Sequence, residues 1–227
     1  YIFFTHNNLF VTSNVVPFFK FVLFMKDFIN SYLKEVSEIA SNISQEEIEN
    51  VALELIRTRD NNGRVFFIGV GGSAGNASHA VCDLRKLTGI VCYAPCDNVS
   101  ELTARTNDEG WETIFSGWLN VSKLCSRDLI FVLSVGGGSR EKFISPGIVN
   151  AIELAKEKNA RVVGIVGKAE GFTRKVADAS ILVPVVNPEY ITPHSESFQT
   201  VLWHLFASLP NLKINPTKWE SVSSATT

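Results

Sequence analysis

A histidine and an aspartate, His79 and Asp83, lie four residues apart in a segment whose spacing is typical of a helix. Residues four apart share one face of a helix, so an imidazole and a carboxylate would stand side by side. These are the two groups that acid–base catalysis uses most often, and both are also zinc ligands. The pair therefore marks a candidate catalytic site.

A glycine-rich turn precedes this helix and follows an apolar run at 65–68 that predicts a buried strand. The turn holds Gly69, Gly71, Gly72 and Ser73. Free N–H groups at a helix start, together with a serine, favour a bound phosphate, although a turn that only caps the helix has the same pattern. No Gly-Lys-Ser/Thr follows, and the third glycine of a dinucleotide fingerprint is alanine, which the loose motif tolerates. We expect no nucleotide cofactor.

The same arrangement returns later in the chain. An apolar strand predicted at 128–134 runs into the sequence SVGGGS, which we call the second serine–glycine loop (residues 134–139). Its glycines offer backbone N–H donors, and Ser134 and Ser139 offer hydroxyls, a combination that suits a phosphate. Two such loops in one chain are less expected by chance than one.

Alternating strands and helices surround these loops. Further strands are predicted at 89–93, 161–166 and 180–186, with helices between them, and two helices precede the first strand. The first begins near Met25, and the second opens with a capping box from Ser44 to Glu47. This order predicts a parallel sheet covered by helices on both faces.

Composition limits the classes of partner and compartment. The chain has 227 residues, 45% hydrophobic and 19% charged, with a net charge of −2, so nucleic acid is not expected as a partner. Its four cysteines form no CxxC pair, which favours free thiols in a reducing cytoplasm over a zinc site.

The first 24 residues differ from the rest, with crowded Phe and Val and one charge, Lys20. The apolar run 15–24 is too short to span a bilayer, and no secretory signal pattern is present. We interpret 1–24 as extra sequence before the domain, with a membrane-surface anchor as the alternative; no membrane partner is expected. The domain is predicted at 25–212 and a polar tail at 213–227.

Several motifs occur in one order: the Gly-Gly-Ser turn before the His79–Asp83 helix, the turn Asn107-Asp108-Glu-Gly, the second serine–glycine loop, and a late helix with Glu196 and His204. As a set they resemble the sugar isomerase (SIS) domain family, and within it the phosphoheptose isomerase group, over roughly residues 25–212. The resemblance implies a flavodoxin-like three-layer α/β sandwich around a five-stranded parallel sheet, in a homotetramer with active sites between subunits. It also implies conversion of sedoheptulose 7-phosphate to a heptose 7-phosphate.

The resemblance also implies roles for individual residues. Asp83 would be the catalytic base and His204 the acid. Zinc, if used, would take ligands from His79, Asp83, Glu196 and His204. The substrate-binding set, including the donors of the second loop, is Gly71, Gly72, Ser73, Asn107, Asp108, Ser134, Gly136, Gly137, Ser139 and Glu196.

The chain departs from the family pattern at several of these positions. Val70 replaces a usual asparagine, Val135 and Gly136 lack hydroxyls, Asp83 is shorter than the usual glutamate, and Glu196 replaces a neutral amide. Two other functions therefore stay open: isomerisation of a different sugar phosphate, and a non-catalytic SIS module that binds a sugar phosphate and regulates a partner protein.

Geometry also limits the ligand set. Glu196 and His204 are eight residues apart, or about 12 Å along one helix. They could share a metal if long side chains lean together, if Glu196 precedes the helix, or if two subunits supply the ligands.

Overall fold

The computed structural model describes the backbone of residues 15–222 and the side chains of residues 22–222. Five parallel strands form one sheet in the order β2-β1-β3-β4-β5. Their bounds are Arg64–Gly69 (β1), Val91–Tyr93 (β2), Leu129–Ser134 (β3), Arg161–Val166 (β4) and Ala179–Leu182 (β5). This is the flavodoxin-like order, and it confirms the predicted parallel sheet.

Helices connect the strands and cover the sheet. They are α1 Val15–Asn42, α2 Gln45–Asp60, α3 Gly72–Thr88, α4 Val99–Asp108, α5 Ile114–Val121, α6 Pro146–Glu157, α7 Phe172–Val176, α8 Ile191–Ser208 and α9 Lys218–Val222. The predicted capping box opens α2, where the Glu47 N–H donates to Ser44 Oγ at 3.2 Å. Helices α2, α3 and α8 pack on one face of the sheet, and α5, α6 and α7 pack on the other.

Alternation along the strands divides the core into two layers. Phe66 and Ile130 point toward α5 and α6. Their neighbours Phe67 and Phe131 stack with ring centroids 4.7 Å apart, and Phe206 of α8 lies 6.2 Å from Phe131. Because side chains alternate with period two, runs buried on both faces read as continuous apolar sequence, which is why the strands could be predicted.

The chain divides into two units, residues 1–41 and 42–227. Helix α1 is described over Val15–Asn42 and so includes residues before the predicted start at Met25. The boundary at residue 24 stays a prediction, and residues 1–14 and 223–227 lie outside the described part. Across residues 15–222, no helix is long and apolar enough to cross a membrane.

Three predicted boundaries were wrong. Strand β2 starts at Val91 rather than residue 89 because Gly89, at φ +70°, ends α3 in the left-handed conformation. Strand β5 ends at Leu182 rather than residue 186. Asn107 and Asp108 belong to the last turn of α4 instead of a loop, because Asn98 caps that helix and it continues to Asp108.

The structure also describes the cysteines and the start of the predicted tail. All four cysteines are free, and burial raises the pKa of Cys92 to about 12. The start of the predicted tail is attached to α3, because the Ile214 N–H donates to Leu87 O at 2.8 Å.

Candidate active site

Helices α3 and α8 supply the candidate catalytic side chains, and Asn76 joins the two helices. Its amide Nδ2 donates to Glu196 O at 2.9 Å and to Gln199 Oε1 at 3.1 Å, and its Oδ1 accepts from Thr200 Oγ1 at 2.8 Å. These bonds fix one helix against the other at the carboxyl side of β1, where ligands bind in flavodoxin-like sheets.

Two histidines flank one carboxylate. Asp83 Oδ2 lies 3.8 Å from His79 Nε2 and 3.7 Å from His204 Nε2, and the three potential ligand atoms lie within 4.8 Å of one another. The side chains of His79 and His204 are 58% and 48% exposed, and that of Asp83 is 24% exposed, so a ligand from solvent can reach all three. The structure thus brings together three of the four predicted metal ligands.

The ring of His204 has a defined orientation. Its Nδ1 lies 2.9 Å from Thr200 O, and because a carbonyl only accepts, Nδ1 carries a proton. Nε2 is then the atom that faces Asp83 and that can bind a metal or exchange a proton. The Thr200–His204 spacing of four residues could have revealed this contact in the sequence.

Trp203 lies against both imidazoles. Its ring stacks on His204 with centroids 3.5 Å apart and lies 4.5 Å from His79. The Trp203 side chain is fully buried. Its contact with both histidines was not predicted, because the side of a helix that a neighbour approaches depends on α3–α8 packing.

Glu196, the fourth predicted ligand, lies elsewhere in the single chain. Its carboxylate lies against Gly72 at the start of α3, where a Cβ on Gly72 would collide with it. It does not join the His79–Asp83–His204 group among the described residues. The reason is the predicted one: Glu196 and His204 lie on one helix, two turns apart.

The first glycine turn forms as predicted. Gly71 adopts φ +64°, which favours glycine, and Ser73 is buried in the first turn of α3. Gly69 cannot carry a side chain, because its Cβ would lie 2.6 Å from the carbonyl carbon of Ser73. Gly71, Gly72 and Ser73 therefore place the exposed start of α3 beside the Glu196 carboxylate.

The two serines of the second serine–glycine loop form hydrogen bonds with neighbouring residues of the chain. Ser134 Oγ accepts from the Gly137 N–H at 3.0 Å, and Ser139 Oγ donates to Glu141 at 3.0 Å. Gly137 O accepts from Thr173 Oγ1 at 2.8 Å, which anchors the loop to α7. The backbone N–H groups of Gly136 and Gly138 donate to no acceptor within residues 15–222 and stay available to a ligand.

Asn107 and Asp108 are exposed, and the Asn107 amide donates to Asp108 Oδ1 at 2.7 Å. Within the described chain, no hydrogen bond or ion pair connects them to His79, Asp83 or His204. Their predicted role in substrate binding stays a prediction.

The backbone conformation at Ser145 was not predicted from the sequence. Ser145 precedes α6 at φ +48°, and its side chain makes no capping hydrogen bond to that helix. The available signal was the pair Ser145-Pro146, which is typical of a helix start.

Comparison with known proteins supports the fold and the family resemblance. A family model described as the SIS domain matches residues 31–167. The phosphoheptose isomerase of Aneurinibacillus thermoaerophilus is 28% identical over 208 residues, covering 87% of this chain and 100% of the relative. That of Rhodospirillum rubrum is 32% identical over 152 residues, covering 65% and 75%. The solved phosphoheptose isomerase from Francisella tularensis superposes with a TM-score of 0.70 at 22% identity, covering 80% of this chain and 95% of that one, and shows the same fold.

Proposed function

Because this chain belongs to the SIS domain family, we propose that it is a phosphosugar isomerase that interconverts sedoheptulose 7-phosphate and D-glycero-D-manno-heptose 7-phosphate. One observation carries the proposal: the Asp83 carboxylate lies 3.7 Å from an imidazole nitrogen of His204 whose other nitrogen is held by Thr200. A base and an acid thus stand side by side on a surface that a sugar can reach.

The chemistry of an aldose–ketose isomerase needs these two groups. Asp83 removes a proton from the carbon next to the carbonyl, while protonated His204 Nε2 gives a proton to the carbonyl oxygen. The resulting enediol is neutral. The reverse transfers at the neighbouring carbon and oxygen give the product and return both side chains to their starting states.

Zinc fits the same three side chains. His79, Asp83 and His204 offer two imidazoles and one carboxylate, and Thr200 fixes His204 so that Nε2 is free. Bound there, zinc would polarise the substrate carbonyl. Glu196 would join the set only from a second subunit or after a rearrangement of its side chain.

A homotetramer in the cytoplasm is part of the proposal. Phe24, Phe28 and Leu33 of α1 are 72%, 44% and 59% exposed in the single chain, and such apolar side chains favour burial against other copies. The four free cysteines fit a reducing compartment. Light scattering of the purified protein is expected to give a mass near four times the 25.1 kDa of one chain.

The decisive experiment is an isomerase assay with sedoheptulose 7-phosphate, run as purified, after chelation, and after addition of zinc. Turnover that chelation removes and zinc restores would establish a metal-assisted isomerase. Turnover that ignores metal would assign the reaction to Asp83 and His204 alone. Absence of turnover with thermal stabilisation by the sugar phosphate would instead indicate the non-catalytic binding module.

Replacing Glu196 with glutamine is expected to lower KM for the sugar phosphate about fivefold. The Glu196 carboxylate lies beside Gly72, where the substrate phosphate is predicted, and it repels that phosphate. A unit charge at about 4 Å in a watery environment contributes about 1 kcal/mol, which is about fivefold in affinity.

Glu189→Gln is the matched control, because Glu189 is exposed just before the same helix and loses the same charge. Its KM should not change. A raised KM in Glu196→Gln, together with a loss of bound zinc, would show that Glu196 is a metal ligand and not a repelling charge.

A further inference from the structure

The indole ring of Trp203 lies beside both histidines of the candidate catalytic group. It stacks on the ring of His204 with centroids 3.5 Å apart and an interplanar angle of 30°, and its centroid lies 4.5 Å from that of His79. Trp203 and His204 belong to α8, whereas His79 belongs to α3. One rigid ring thus contacts two imidazoles that come from different helices.

The two imidazoles have few other contacts that fix them, because each is about half exposed to solvent. Thr200 O holds one nitrogen of the His204 ring. The His79 ring makes no hydrogen bond among the side chains that the structure describes, since Asp83 Oδ2 lies 3.8 Å away, beyond hydrogen-bond distance. The indole therefore limits how the His79 ring can turn.

Packing alone does not account for an indole at this position. Trp203 is fully buried, and its Nε1–H donates to no acceptor among residues 22–222. A buried N–H without a partner lowers stability, and a phenyl ring would fill the core without that loss. What the indole adds is a wider flat surface, and that surface contacts both imidazoles.

Fixed imidazoles favour both forms of the proposed chemistry. Zinc binding needs the rings of His79 and His204 aimed at one point, and proton transfer needs Nε2 of His204 to face the substrate. A side chain that is already held in position loses less rotamer freedom when a ligand binds. Groups that orient a metal-binding histidine contribute about 10- to 100-fold to metal affinity or activity.

We infer that Trp203 is a positioning residue that holds the His79 and His204 rings in the orientation that the active site uses. The inference rests on the proposed function, because it concerns the same group of side chains. Trp203 is fully buried and does not touch the substrate itself. Its replacement should therefore lower kcat by about tenfold and leave KM nearly unchanged.

The first test is calorimetric titration of the metal-free full chain with zinc, comparing the wild type with Trp203→Phe and Trp203→Leu. We expect Trp203→Leu to bind zinc about tenfold more weakly per folded molecule, the lower end of the range for orienting groups. Trp203→Phe keeps a flat ring, so its zinc affinity should fall between those of Trp203→Leu and the wild type.

Phe206→Leu is the matched control. Phe206 is as fully buried as Trp203 and lies on the same helix, but its ring packs toward Phe131, with centroids 6.2 Å apart. This variant should lose stability through the smaller side chain and still bind zinc as tightly as the wild type. An equal loss of zinc affinity in Phe206→Leu and Trp203→Leu would overturn the inference, because loosened packing would then explain both.

A second readout needs neither zinc nor turnover. In protein with isotope-labelled histidine, the ring current of the indole displaces the ring-proton NMR signals of His79 and His204 from their free-imidazole positions. Trp203→Leu should return both sets of signals to those positions, whereas Phe206→Leu should leave them displaced. Signals that do not move in Trp203→Leu would overturn the inference.

The measurements also separate failure of the inference from failure of the proposed function. If the wild type turns over sugar phosphate but binds no zinc, an unchanged kcat in Trp203→Leu would overturn the inference. If the wild type neither binds zinc nor turns over sugar phosphate, the proposed function fails, and the histidine signals alone decide whether Trp203 fixes the two rings.

Discussion

Asp83→Asn is expected to lower kcat by about 10²- to 10⁴-fold, the range found when a general base is removed. Asparagine has nearly the same shape, but its amide cannot take a proton from carbon. KM should change little, because the base acts on the reacting carbon in the transition state rather than on bound substrate. Steady-state kinetics with the sugar phosphate measure both constants.

Two further variants make this prediction specific. Asp83→Glu keeps the carboxylate and has the side chain that the family usually carries, so it should retain turnover. Asp60→Asn removes an exposed carboxylate that pairs with Arg59 at 3.0 Å, and it should leave kcat unchanged. Wild-type turnover in Asp83→Asn, with the same zinc content, would remove Asp83 from the mechanism.

Zinc content distinguishes two roles of the same carboxylate. If Asp83 acts mainly as a ligand, Asp83→Asn will lose metal, and added zinc will partly restore kcat. If it acts mainly as the base, metal content will stay and kcat will still fall. The distance of 3.8 Å between Asp83 and His79 is compatible with either role, so metal analysis must accompany the kinetics.

The strands were predictable because burial on both sheet faces leaves an unmistakable apolar run. Val65 to Ile68 and the run before Ser134 have no polar residue, and both form central strands. The turns that end them were predictable for a related reason, since glycine adopts the positive φ found at Gly71 and Gly137 more readily than any other residue. In these segments the local sequence was sufficient to predict the structure.

Contacts between distant segments were less predictable. Spacing showed that His79 and Asp83 share a helix face, but the approach of His204 depends on how α8 packs on α3. The position of Glu196 beside Gly72 depends on the same packing. The sequence showed only that Glu196 and His204 are far apart along one helix.

A second large effect is expected at the edge of the sheet opposite the site, where Asp128 connects the starts of β1 and β3. Its Oδ1 accepts from the backbone N–H and Nε of Arg64 at 3.0 and 3.1 Å. Its Oδ2 accepts from Arg64 Nη2 at 2.6 Å and from the Cys125 N–H at 3.0 Å. Asp128 is only 2% exposed, so its removal leaves several partly buried donors without this acceptor.

Asp128→Ala should therefore lower the free energy of unfolding by about 3 kcal/mol, near the lower end of the range for breaking a buried ion pair. For a domain of this size that corresponds to a fall in Tm of about 6–12 °C, measurable by calorimetry. Asp60→Ala breaks an exposed pair and should cost less than about 1 kcal/mol. Equal losses in the two variants would contradict the assigned role of Asp128.

The loss of stability in Asp128→Ala is also expected to depend on pH. Burial by itself raises the pKa of Asp128, but the hydrogen bonds from Arg64 and from backbone N–H groups outweigh it and hold the pKa below its ordinary value. In the unfolded chain the pKa of this carboxyl is about 3.9, so the unfolded chain binds the proton more readily than the folded chain does. The stabilisation is fully present above about pH 4 and is lost as the pH falls through the folded pKa, so the gap between wild type and Asp128→Ala should narrow on acidification. A gap that stays constant from neutral to acidic pH would show that the variant loses packing rather than a charged contact.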